Sequence, residues 1–116
     1  MKQLSGYLQI LTNIKHKTAM HFAAGNPVAE ELVNLEAIST LKWALGPRGA
    51  GYTDFTGDIL APSLAVVAGA SVVEKNLTIG PNVPDERTSV IPNEMEQMVD
   101  VIRMHEQMMG DGKIGA

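Results

Sequence analysis

Segments of helical and of strand-like periodicity alternate along this 116-residue chain, and that alternation restricts what it can fold into. Strands separated by helices pair in parallel, with the helices as crossovers. Leu4, Tyr7, Leu8, Leu11 and Ile14 recur at helical spacing, so residues 1–15 are expected to form an amphipathic helix. The apolar run 18–24 reads as a buried strand. Asn26-Pro27 is a helix-start signal: an amide to cap, and a proline that needs no N–H in the first turn. Leu32, Leu35, Ile38, Leu41 and Leu45 would be the buried stripe of that helix, and Gly46-Pro47 stops it.

A glycine-rich connection over 48–51 leads into a short strand at 51–53, followed by a loop over 54–58. Residues 59–68 are small and apolar, as in a helix packed tightly against a sheet. A second clear strand covers 71–75, with β-branched Val72 and Val73. A loop containing Pro and Asn runs over 80–91. Met95, Met98, Ile102, His105 and Met109 mark the last helix, with Asn93 and Glu96 spaced for a capping box and Gly110 and Gly112 at its end. Three strands with four helices leave an open parallel sheet, and natural proteins protect such edges. A complete (β/α)₈ barrel takes about 250 residues. The chain is therefore expected to be part of a barrel, or a sheet whose edges pair with another chain.

A formal charge of −4 argues against a nucleic-acid surface, which needs clustered cations to neutralise phosphates. With aromatics at 4 %, the core must rest on aliphatic side chains and seven Met. The absence of cysteine excludes disulfides and thiolate metal sites, and suits a reducing, cytoplasmic setting. Polar Gln3, Ser5, Gln9 and Asn13 interrupt any signal-like run at the start. The longest apolar stretch, 59–73, contains Pro62, Ser63 and Ser71 and is shorter than the ~20 residues of a membrane span, so no membrane partner is expected.

Four collinear pieces carry a family resemblance: 33–42 (VNLEAISTLK), 51–57 (GYTDFTG), 72–78 (VVEKNLT), and the series Pro84-Asp85, Ser89, Pro92, Met98-Val99, Ile102-Arg103, Glu106 and 110–113. Together they resemble the C-terminal part of the catalytic barrel of the sialic acid synthase family, which includes legionaminate and pseudaminate synthases. The resemblance covers roughly residues 20–113. It implies an α/β fold that is a partial TIM barrel, about strands six to eight with their helices; the family's barrel is usually followed by a small antifreeze-like domain, which is not expected within this chain. It also implies the family's chemistry: condensation of phosphoenolpyruvate with an N-acetylated amino sugar, using a divalent metal such as manganese. The family's phosphoenolpyruvate-binding Lys would fall before Met1.

Position by position, the family's strand-seven motif Tyr-Ser-Asp-His-Thr is similar to Tyr52-Thr53-Asp54-Phe55-Thr56. Its strand-eight motif Glu-Lys-His-Phe-Thr is similar to Glu74-Lys75-Asn76-Leu77-Thr78. Both metal-binding His positions are thus replaced, by Phe55 with no lone pair and by Asn76, whose amide oxygen is a poor manganese ligand beside imidazole. The pattern His-Cys-Thr-Asn-x-Tyr-Pro falls on 21–27, where the Asn and Tyr positions hold Ala24 and Asn26. By the resemblance, the Thr53 hydroxyl would hold the phosphate or carboxylate of phosphoenolpyruvate, and Asp85 would contact a sugar hydroxyl.

The candidate substrate contacts are therefore Thr53, Asp54, Thr78 and Asp85, with no confident catalytic residue and no metal ligand. Each also has a structural reading. Asp54 is a residue type that braces turns, Thr53 and Thr78 are strand formers, and Asp85 beside Glu86 and Arg87 is a charged loop. Lys75 after Glu74 reads as a strand-end pair, His21 as a hydrogen-bonded core histidine, and His105 as a packing residue in a methionine stripe. Gly46, Gly49 and Gly51 precede their strand, so they make no phosphate-cradling fingerprint. The expectation is a sialic-acid-synthase-like partial barrel, impaired or inactive alone, with no cofactor of its own. Two alternatives stand beside it: one part of a split synthase completed by another chain, and a self-associating structural remnant.

Overall fold

The structure, a computed structural model, describes residues 15–115. The helix expected over residues 1–15 lies almost wholly outside them. Strands β1 (Ala19–His21), β2 (Ala50–Asp54) and β3 (Val72–Leu77) pair in parallel, and a two-residue strand β4 (Ser89–Val90) adds to the C-terminal end of β3. The order β1-β2-β3-β4 follows the chain and leaves the sheet open. Helices α1 (Glu36–Leu45) and α2 (Leu60–Ala68) supply the crossovers, and α3 (Pro92–Met109) follows β4.

Three expectations need correction. The first is the helix starting at Asn26-Pro27. That peptide bond is cis, residues Glu30–Leu32 form one 3₁₀ turn, and α1 begins only at Glu36. Asn34 sits at φ 51°, a left-handed conformation that an α-helix cannot run through. Leu32 is accordingly exposed, and Val28 and Val33 are buried in its place. Second, the loop over 80–91 contains the 3₁₀ turn Glu86–Thr88 and β4, so the sheet has a fourth strand reached without an α-helical crossover. Third, α3 is capped by Glu94 rather than Glu96: the Ile91 N–H donates to Glu94 Oε1 at 3.0 Å, with Pro92 in the first turn.

The core lies between the sheet and α1 and α2. Val28, Val33, Ile38, Ala50, Tyr52, Ala61, Ala65 and Ala70 form one cluster. Small side chains on α2 and β2 bring helix and sheet close, so Ile38 and Tyr52 are the largest apolar groups fully enclosed there. Burying an aliphatic side chain such as Ile38 contributes about 1.5–3 kcal/mol. No helix among the described residues is long and apolar enough to cross a membrane.

Candidate functional site

Because the strands run parallel, their C-terminal ends share one rim, and the candidate residues of the 52–56 and 74–78 motifs gather there. Side chains alternate along a strand, and the contacts sort them. Ala50 and Tyr52 belong to the core cluster, so Ala50, Tyr52 and Asp54 face the helices while Gly51 and Thr53 face the open side. Val73 also packs on the core, which turns Lys75 toward the helices and Glu74 and Asn76 to the open side. A Cβ on Gly51 would meet the Met20 sulfur, which places Met20 on the open face with them.

Asp54 is fully buried, and both of its carboxylate oxygens are engaged. Oδ1 accepts from the Tyr52 hydroxyl at 2.7 Å and the Thr56 N–H at 3.1 Å. Oδ2 accepts from the Thr56 hydroxyl at 2.8 Å and from Lys75 Nζ at 2.8 Å. Lys75 also donates to the Thr56 carbonyl at 2.7 Å, and neither side chain of this ion pair reaches solvent. Burial, the bond to Asp54 and the nearby negative charge together hold the Tyr52 hydroxyl well above the ordinary phenol range. Lys75 is therefore not a strand-end partner of Glu74, which lies on the opposite face. Sequence reasoning missed the parts played by Tyr52, Thr56 and Lys75; the i, i+2, i+4 spacing of Tyr52, Asp54 and Thr56 was the available signal.

On the open face, Thr53 donates its hydroxyl to Glu74 Oε1 at 2.7 Å. Phe55, just past the end of β2, packs against the core cluster and meets Phe22 edge to face, with ring centroids 5.9 Å apart. Asn76 donates through Nδ2 to the Thr88 hydroxyl at 3.1 Å, and Thr88 is buried. Thr78 closes a local turn with Gly80. Asp85 uses its backbone carbonyl to receive Thr88 and Ser89, while its exposed carboxylate makes no cap bond. The structure thus brings Thr53 and Asn76 onto one face, turns Asp54 away from them, and leaves Thr78 and Asp85 in the loop after β3. His21 is half-buried, with Nε2 2.9 Å from the Val33 carbonyl and its ring stacked over Tyr52. His105 sits in the α3 stripe, and its buried Nδ1 has no hydrogen-bond partner among the described residues.

The family model for NeuB matches residues 1–114. This chain belongs to the NeuB family of sialic acid synthases. It is 37 % identical over 112 residues to the N,N'-diacetyllegionaminic acid synthase of Legionella pneumophila, covering 95 % of this chain and 29 % of that protein. It is 42 % identical over 96 residues to an uncharacterized protein of Methanocaldococcus jannaschii, covering 81 % and 28 %. Among solved structures, the N-acetylneuraminic acid synthetase of Leptospira borgpetersenii superposes with a TM-score of 0.87 at 28 % identity, over 99 % of this chain and 41 % of that one. The chain spans less than a third of the length of these curated relatives. The open four-stranded sheet is thus a NeuB-type partial TIM barrel, and the family works in nonulosonic acid and polysaccharide biosynthesis.

The NeuB family is generally metal-dependent. The residues at this rim do not fit a divalent metal. Phe55 offers an aromatic ring packed against Phe22, with no lone pair, and Asn76 is hydrogen-bonded to Thr88. Among the described residues, no three His, Cys, Asp or Glu side chains stand close enough to hold an ion together.

Proposed function

We propose that this NeuB-type chain is catalytically impaired, unable by itself to condense phosphoenolpyruvate with an N-acetylated amino sugar. One observation carries the reading: where the resemblance puts two imidazoles, Phe55 is packed edge to face on Phe22 and Asn76 is tied to Thr88. The remaining rim groups support it. Thr53 is engaged by Glu74, and Asp54 is enclosed behind the sheet with Lys75. Of the four candidate substrate contacts, Asp85 keeps a carboxylate open to solvent and without a side-chain bond among the described residues, so it is the group left for a sugar hydroxyl.

The test is inorganic phosphate release from phosphoenolpyruvate by the full chain, with an N-acetylated hexosamine and manganese present. No release above the protein-free control is expected. Steady release that stops when a chelator is added would overturn the reading.

The open sheet favours a second reading, in which another chain supplies the missing strands and ligands. Phe22 is 55 % and Val72 46 % exposed on the open face, a surface that a closed barrel would cover. Tagged chain drawing down a NeuB-type partner, with phosphate release by the complex, would support it. A stable monomer at all concentrations, with no partner captured, would count against both completion and self-association.

A further inference from the structure

At the face opposite the motif rim, the segments preceding the strands converge, because all strands run the same way. Residues just before β1 and just before β2 meet there. The Thr18 hydroxyl donates to the Arg48 carbonyl at 2.8 Å, and the Ala19 N–H donates to the Gly49 carbonyl at 2.8 Å. These bonds bring Lys15, His16 and Lys17 beside Arg48, some thirty residues away in the chain, around a cleft of about 690 Å³. No Asp or Glu is among its described lining residues, in a chain whose net charge is −4.

The turn that carries Arg48 is tightly built. Gly46 sits at φ 96° after α1, the Gly49 N–H donates to the Gly46 carbonyl at 2.9 Å, and a Cβ on Gly49 would lie 2.3 Å from the Leu45 Cβ. Arg48 is exposed, and no hydrogen bond or ion pair engages its side chain among the described residues. An exposed guanidinium on a fixed turn, in a cleft also lined by Lys15 and with no Asp or Glu among its described lining residues, matches a multiply charged oxyanion. The volume lies within the ~300–1,000 Å³ of small-molecule sites.

From this geometry we infer a binding site for a diphosphate-bearing small molecule on the face away from the NeuB motifs. Arg48 is its principal anchor and Lys15 supports it. The site is independent of the reading given to the motif rim, since it shares no residue with it.

Calorimetric titration of the full chain with inorganic pyrophosphate, at low and at moderate salt, tests the inference. One saturable site per chain is expected, weakened roughly tenfold by Arg48→Ala and less by Lys15→Ala. Arg48→Lys should retain intermediate affinity, and Lys113→Ala, a charge change distant in sequence beside Asp111, should leave it unchanged. Titration with ADP separates the sources: equal affinity means that the diphosphate alone is read, and tighter binding means that the cleft also seats the nucleoside. Circular dichroism of each variant confirms that the fold is retained. Absence of saturable binding, or equal weakening by Arg48→Ala and Lys113→Ala, would overturn the assignment.

Discussion

Replacing Lys75 with methionine keeps an unbranched side chain one atom shorter, removes its charge and leaves the buried Asp54 carboxylate without a cation. Lys75 now donates to Asp54 Oδ2 at 2.8 Å and to the Thr56 carbonyl at 2.7 Å, with both side chains of the pair out of solvent. After the substitution, Asp54 keeps three donors: the Tyr52 hydroxyl and the Thr56 N–H and hydroxyl. Breaking a buried pair by removing one partner costs about 3–5 kcal/mol, and the three remaining donors put Lys75→Met at the lower end, about 3 kcal/mol. In a domain of this size that lowers Tm by about 12–24 °C. Asp54→Asn should cost a similar amount, because it leaves the ammonium enclosed without its counter-charge. The double variant should be better than the sum of the two by about 2 kcal/mol, since neither group is then an uncompensated charge. Urea unfolding of the four proteins measures this cycle. Additive losses, or a Lys75→Met loss below about 1 kcal/mol, the range of an exposed pair, would refute the buried-pair reasoning.

Other outcomes follow from the same geometry. The Tyr52 hydroxyl is held above its ordinary range, so the unfolded chain loses that proton first. Its contribution is complete below about pH 10 and declines as pH rises beyond that. Tyr52→Phe should flatten the alkaline loss of stability while costing about 1.5–3 kcal/mol at neutral pH, one bond to a carboxylate; an unchanged alkaline slope in unfolding from pH 9 to 11 would contradict this. Gly49→Ala pushes a Cβ to 2.3 Å from the Leu45 Cβ and 2.7 Å from its carbonyl carbon. Thermal unfolding should show a loss of about 1–3 kcal/mol, and a neutral result would mean that the Gly46–Gly49 turn opens freely.

Much of the fold was legible because it rests on local signals. β2 and β3 stand out through Tyr52, Val72 and Val73, and Gly46-Pro47 stops α1 where expected. What escaped depends on backbone states or on distant register. Nothing in 27–35 announces that Asn34 is left-handed, and two residues, Ser89 and Val90, are too few for a period to show. The motif rim was read only in part for the same reason. The two motifs could be located on their strands, but which face each residue occupies depends on strand register. Asp54 opposite Lys75, and Thr53 opposite Glu74, are pairs set by how β2 aligns with β3 across the α2 crossover. Periodicity within either strand does not reveal that alignment.

Titrating the full chain with manganese, and following the free-ion signal by electron paramagnetic resonance, tests most directly whether Phe55 and Asn76 have removed the metal grip. The free-ion signal should track added manganese up to about 1 mM, with no saturable loss. A signal lost at one manganese per chain, and restored by Asn76→Ala, would mean that the rim still binds the ion.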